Sequence, residues 1–301
     1  LAPEYFLPIR DFGTDYHATL DGKNALKAIT HIIDLPEQQR NESIEIAQWN
    51  EDSTLNVQNL SLQYNESNEY SLKDISFSWQ GFGKIGIIGA SGAGKSTLIN
   101  VLGGFAHPTS ASIQINNETI TSFNTKEWQQ QVLYIPQHPY IFNDTLANNV
   151  SFYTPNATNE EIQQACHHAG LSTVIESLPN GLDERIGESG RALSGGQEQR
   201  IAFARAFLDQ SRKILLFDEP TAHLDIETEW ELKQNILPLL DGRLVFFATH
   251  RLHWMLEMDY IIVMDQGKIV ETGTHEQLLK AKGTYTQLIQ AQMHGTEEQH
   301  G

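Results

Sequence analysis

The chain has 301 residues, 40% of them hydrophobic and 19% charged, and a formal net charge of -18. That balance suits a globular protein and argues against a nucleic-acid surface, because phosphate backbones need clustered Lys and Arg and no basic run is present. The longest apolar stretches, 244–248 (LVFFA) and 260–264 (YIIVM), are too short to cross a bilayer as helices. No basic-then-apolar leader opens the chain, and a first residue of Leu rather than Met predicts a piece cut from a longer protein.

In chain order, Ile9, Phe12, Tyr16, Leu20, Ile29 and Ile33 recur mostly at three- or four-residue intervals or multiples of them, which predicts a helix over 9–33. Residues 35–53 are polar and acidic, with a proline near the start, and predict a linker. From Thr54 the texture changes to short apolar strands alternating with helical segments, the mark of an α/β domain. The runs 84–88 (KIGII), 213–217 (KILLF), 244–248 and 260–264 lack alternation, as expected of parallel strands covered on both faces. Residues 138–209 are richer in Asn, Gln, Glu and His and predict a helical insertion. The single cysteine, Cys166, excludes an internal disulfide, fits a reducing cytosol and falls in a predicted helix as a packing residue. His167 and His168 are adjacent and share no helix face, which disfavours a metal site there.

The strongest local signal follows the strand 84–88. Gly89, Ala90, Ser91, Gly92, Ala93, Gly94, Lys95, Ser96 and Thr97 form a phosphate loop opening a helix, STLINVLGG. Glycines let successive backbone N–H groups converge on phosphate oxygens, and the helix adds its positive dipole end. Lys95 is placed to reach the β- and γ-phosphates of ATP, and Ser96 to offer its hydroxyl to Mg²⁺. A second element, 213–220 (KILLFDEP), ends a strand in two carboxylates. Asp218 is the candidate Mg²⁺ holder, and Glu219 the group that orients and polarises the attacking water. A third, Leu193-Ser194-Gly195-Gly196-Gln197, precedes the helix EQRIAFARAFL and makes another helix-start anion site.

That third motif is the one that resembles the ABC ATPase family, and the resemblance runs over nearly all of 54–290. It implies a RecA-like α/β ATPase core with an antiparallel β subdomain and the inserted helical subdomain at 138–209. It further implies a head-to-tail dimer with two ATPs sandwiched, so that Ser194, Gly195, Gly196, Gln197 and Asp225 (in TAHLD) meet the nucleotide held by the opposite subunit. By the same resemblance Tyr64 stacks on adenine, Gln137 touches Mg²⁺ and water and relays to a membrane domain, and His250 senses the γ-phosphate. Gly187-Glu188-Ser189-Gly190 resembles the exporter segment that touches the partner's coupling helices. Residues 1–34 resemble the cytoplasmic end of an exporter's last transmembrane helix, with the nucleotide-binding domain over 54–296 and a tail at 297–301.

More finely, LAPEYFLPIRDFGTDYHATLDGKNAL looks like CydD subunits, which pair with CydC in a bacterial exporter of cysteine and glutathione needed for cytochrome bd assembly. The resemblance therefore implies a CydC-like second half-transporter as partner, a transmembrane domain, and a place on the cytoplasmic face of the membrane. It also implies a fragment that is monomeric without ATP. The alternative is a soluble ABC ATPase acting on nucleic acid or ribosomes, against which the acidic balance weighs. Ala111 and Gln129 depart from the family pattern away from the inferred chemistry.

Overall fold

The unbroken apolar runs become the inner strands of a six-stranded sheet, buried on both faces. The computed structural model describes residues 2–34, 45–64, 70–188, 190–222 and 224–297. The chain divides into two units, Leu1–Arg40 and Asn41–Gly301.

The first unit is the helix α1 (Ala2–Ile33), longer at its start than the spacing predicted. Phe12, Tyr16, Leu20, Leu26, Ile29 and Ile33 are all exposed on it. No helix among the described residues is long and apolar enough to cross a membrane.

The second unit runs β1 (Thr54–Gln63), β2 (Tyr70–Gln80), β3 (Gly83–Ile88), α2 (Lys95–Leu102), β4 (Ser110–Ile115), β5 (Glu118–Ile120), α3 (Lys126–Gln129) and β6 (Val132–Ile135). It continues through β7 (Asp144–Thr145), α4 (Leu146–Val150), α5 (Asn159–His168), α6 (Ser172–Ser177), β8 (Arg185–Ile186) and α7 (Gly195–Leu208). It ends with β9 (Ile214–Asp218), α8 (Ile226–Leu240), β10 (Leu244–Ala248), β11 (Tyr260–Asp265), β12 (Lys268–Gly273), α9 (His275–Ala281) and α10 (Thr284–Glu297).

The large sheet has the order β12-β11-β3-β10-β9-β6, parallel except for β12 against β11. A separate antiparallel sheet, β2-β1-β4-β5, faces it. Side chains alternate across the large sheet. Ile214, Leu216, Leu244 and Phe246 point into the core shared with the antiparallel sheet, whereas Leu215, Phe217, Val245 and Phe247 point into the core shared with the helical segments. This two-sided burial is why the strands read as continuous apolar runs. The predicted insertion is helical as expected, α4 to α7, with the short ribbon β7–β8 added. Cys166 sits wholly buried in α5, where burial pushes its thiol up to about 12.

The predicted linker needs correction at its second half. Residues 35–44 lie outside the described residues, but Ile46 and Trp49 are buried in the second unit. Trp49 is 3% exposed, its Nε1 donates to the Gly81 carbonyl at 2.9 Å and its ring meets Trp128 edge-on at 6.2 Å. Two apolar side chains among many polar ones are enough to seat the segment, and the domain therefore begins before Thr54.

Candidate active site

Four neighbouring parallel strands, β3, β10, β9 and β6, deliver the predicted residues to one end of the sheet. The phosphate loop follows β3, His250 follows β10, Glu219 follows β9 and Gln137 follows β6. A parallel sheet puts all its carboxyl ends on one edge, where open α/β folds bind ligands. There a cavity of about 1150 Å³ opens, lined by Gly89, Ala90, Ser91, Gly92, Gly94, Lys95, Ser96, Thr97, Gln137, Glu219 and His250 among others.

The loop's shape needs its glycines at two points in particular. A Cβ on Gly89 would sit 2.3 Å from the Met264 carbonyl oxygen, and Gly94, the residue capping α2, has φ 98°. Ala93 is buried beneath the loop, packed with the core rather than facing the cavity. Lys95 is itself buried, and its Nζ donates to the carbonyls of Gly89 at 2.9 Å and Ala90 at 3.2 Å. The same Nζ lies 3.6 Å from Glu219 Oε1.

Glu219 occupies the left-handed region at φ 47°, a strained conformation for a residue with a Cβ and one that concentrates at functional sites. Its backbone N–H donates to the Ala248 carbonyl at 2.8 Å. Oε2 lies 2.8 Å from His250 Nδ1 and accepts from His250 N and Thr249 Oγ1, both at 3.2 Å. Burial works to raise its pKa, but the hydrogen bond and charge of His250, followed by Lys95, outweigh burial and hold the carboxyl below its ordinary value. Asp218 moves the other way: burial first, and then the Glu219 charge, lift it despite the Ser96 hydrogen bond and Lys95. The two adjacent carboxyls are thus shifted in opposite directions.

Ser96 Oγ donates to Asp218 Oδ1 at 2.7 Å, so Asp218 stands behind Ser96 rather than on the cavity lining. Hydroxyl and carboxylate oxygens, with the Gln137 amide nearby on the lining, make a hard-oxygen donor set of the kind that suits Mg²⁺.

Tyr64 does not line this cavity. It is exposed at the end of β1, next to residues 65–69, which lie outside the described residues, and the lining aromatic is Tyr70. Sequence reasoning also missed Lys73, Gln266 and Gly267, and Leu288, Ala291 and Gln292 of α10. The Gln266-Gly267 turn announces the β11–β12 hairpin, but its contact is long-range. Gly267 N donates to the Ala93 carbonyl at 3.1 Å, and its own carbonyl accepts from Lys73 N at 2.8 Å, tying the hairpin to the phosphate loop. Gln292 Nε2 donates to the His250 carbonyl.

The second predicted anion site forms elsewhere. Ser194 caps α7 through a reciprocal pair, its Oγ accepting from Gln197 N at 3.3 Å and its N–H donating to Gln197 Oε1 at 3.0 Å. Asp225 caps α8, accepting from Thr228 N at 2.9 Å. Ser194, Gly195, Gly196, Gln197 and Asp225 line a cavity of about 440 Å³ that shares no lining residue with the first. A third cavity, of about 400 Å³, brings Gly187, Glu188 and Gly190 beside Pro139, Tyr140 and Ile141; Ser189 and His223 lie outside the described residues.

Comparison with known proteins agrees with this geometry. Residues 72–222 match the model of a protein family described as "ABC transporter". The chain is 53% identical over 293 residues to the "Glutathione/L-cysteine transport system ATP-binding/permease protein CydC" of Bacillus subtilis (strain 168), covering 97% of this chain and 50% of that protein. It is 35% identical to an "ATP-dependent lipid A-core flippase" of Pseudomonas fluorescens, covering 93% of this chain and 46% of that one. A solved structure described as a "bacterial Atm1-family ABC exporter with ATP bound" superposes with a TM-score of 0.77 at 29% identity, covering 95% of this chain and 50% of its own. The chain spans about half the length of the curated relatives it matches. The first of these relatives carries the name CydC, whereas the opening residues resemble CydD subunits, and the match does not separate the two.

Proposed function

The chain belongs to the ABC transporter family, and on that premise we propose that it is the ATP-hydrolysing nucleotide-binding domain of an exporter, working in a head-to-tail dimer. The observation that carries the dimer is the separation of the two anion sites. The phosphate loop and the Ser194–Asp225 site open into different cavities of one chain. Each is half of a nucleotide site, and a second subunit facing the opposite way completes both.

In this reading the loop N–H groups and Lys95 hold the phosphates of ATP. Glu219, kept ionised by His250 and Lys95, orients and polarises the water that attacks the γ-phosphorus as its bond to the ADP oxygen breaks. Ser96, Gln137 and Asp218 are the residues that would hold Mg²⁺, which supplies charge neutralisation at the phosphates when bound. Tyr64 is the candidate to stack on adenine, and Tyr70 stands at the cavity. The groove beside Glu188 and Tyr140 receives the membrane domain, and the chain sits on the cytoplasmic face of the bacterial membrane.

For cargo we propose glutathione or L-cysteine, supported by the 53% identity to a protein named for that transport and by the resemblance of the opening residues. The partner is then the other CydC- or CydD-like half-transporter, and the physiological role is cytochrome bd assembly. No specific observation favours a nucleic-acid or ribosomal role. Inverted membrane vesicles carrying the full-length protein with its partner test the proposal. ATP should drive uptake of labelled glutathione or cysteine, and Glu219→Gln should stop it. ATP hydrolysis without thiol uptake would overturn the cargo, and absence of hydrolysis would overturn the ATPase assignment.

A further inference from the structure

Glu229, one helical turn beyond Asp225 on α8, is 1% exposed. Its Oε1 accepts from Thr221 Oγ1 at 2.6 Å and from Trp254 Nε1 at 2.8 Å, while Oε2 pairs with the Arg251 guanidinium. His253 Nε2 stands 3.3 Å from Oε1. Burial works to raise this carboxyl's pKa, but the close His253, Thr221 and Trp254 groups and the Arg251 charge hold it down at about 2. A carboxylate is the one side chain that can take all these donors while fully charged.

The partners matter for where they lie. Thr221 is two residues past Glu219, and Arg251 directly follows His250. Arg251 has two further contacts. Its other guanidinium arm donates to the Leu224 carbonyl at 3.2 Å, next to Asp225 in the second cavity. Its backbone N–H donates to Thr249 Oγ1 at 3.0 Å, and that hydroxyl donates to Glu219 Oε2 at 3.2 Å in the first cavity. Hydrogen bonds at the two ends of Arg251, its guanidinium and its backbone N–H, therefore link the Leu224–Asp225 segment to the Glu219 carboxylate through the arginine itself, and Glu229 fixes the guanidinium end.

We propose that Glu229 is a positioning residue for ATP hydrolysis: by fixing Arg251 it locks the Asp225 segment of one half-site to the Glu219–His250 pair of the other. This inference rests on the ATPase reading above. The two half-sites of a chain then change together, so that docking of a partner against Asp225 is felt at Glu219.

Steady-state ATPase of the full-length protein in its native assembly tests the lock, with kcat counted per ATP site titrated by a fluorescent ATP analogue. Glu229→Gln keeps the shape and an acceptor for Thr221 and Trp254 but drops the charge that holds Arg251. Arg251→Lys keeps a charge but cannot reach Glu229 and the Leu224 carbonyl together. Each should lower kcat about ten- to a hundredfold with KM for ATP changed less than about twofold. The double variant should be no worse than the worse single one, because both break one link. A kcat within about twofold of wild type, or losses that multiply in the double variant, would overturn the proposal. If Glu229→Gln fails to bind the analogue, Arg251→Lys alone decides by the same limits. A wild-type assembly that hydrolyses nothing refutes the ATPase reading instead, and is distinguishable on sight.

Discussion

Replacing Glu219 by Gln tests the assignment at its centre. Glutamine keeps the length of the side chain and one acceptor oxygen, and the backbone at φ 47° makes no new demand on it. What disappears is the charge and the basicity. A general base in reach of its water contributes about 10²–10⁴ in rate, or roughly 3–5 kcal/mol of barrier. The Lys95–Glu219 pair at 3.6 Å also vanishes. Its gross attraction is about 4–5 kcal/mol at an effective dielectric of about 20, a figure offset by the cost of burying both charges. Lys95 no longer divides its charge between carboxylate and phosphate, so ATP affinity should hold or rise while turnover falls.

Phosphate release and nucleotide binding, measured on the same preparation, separate the two effects. Loss of at least about a hundredfold in kcat with unimpaired binding is the expected result. Retention of more than about a tenth of wild-type kcat would refute a base role for Glu219, and loss of binding together with turnover would refute the argument about Lys95.

Asp218→Asn should raise the thermal unfolding midpoint at neutral pH while turnover drops. A buried carboxyl whose pKa is raised destabilises the fold in its charged form, and the gain should shrink as pH falls; a lower midpoint would refute this. Glu229 has the opposite sign. Held at about 2 against an ordinary 4.5, it stabilises the fold above that ordinary value and loses its contribution as pH falls toward 2, so Glu229→Gln should make acid unfolding shallower in that window. Trp49→Ala should cost about 3–5 kcal/mol, or roughly 6–20 °C in midpoint, whereas a free linker would leave the midpoint unchanged. Cys166, buried and with its thiol pushed up to about 12, should resist a water-soluble maleimide until the protein is denatured.

The site was legible where chemistry is local. The phosphate loop, the Asp218-Glu219 strand end and the Ser194 cap each rest on a few adjacent residues, so their position could be read without knowing long-range contacts. The inner strands were legible because burial on both faces removes polar residues from them. Other features depend on distant contacts that periodicity does not carry. The antiparallel sheet is held by pairings such as Val57 with Phe77 and Val57 with Ile113, across bulges that break a simple alternation. Trp49 lies in a segment that is polar on the whole, and its partners Gly81 and Trp128 lie far along the chain, so its burial left no local signal. Glu229 carries no sequence signal of its own, because glutamates on helices are mostly solvated; only the fold brings Thr221, Arg251 and Trp254 around it.

The two cavities cannot move far apart within one chain. Glu219 lines the first cavity and Asp225 the second, and only residues 220–224 separate them. Fully extended, six steps of backbone reach about 20 Å, and the turn from Thr221 to Leu224 shortens that reach. β9 fixes one end of the segment and α8 the other, since Asp225 is both a lining residue and the cap of α8. In the proposed dimer, a subunit engaging Asp225 would therefore pull on a tether whose other end is Glu219. The Arg251–Glu229 pair bridges the same two points from the far side. Tether and bridge together leave the segment few arrangements, which favours switching between discrete states over a graded response.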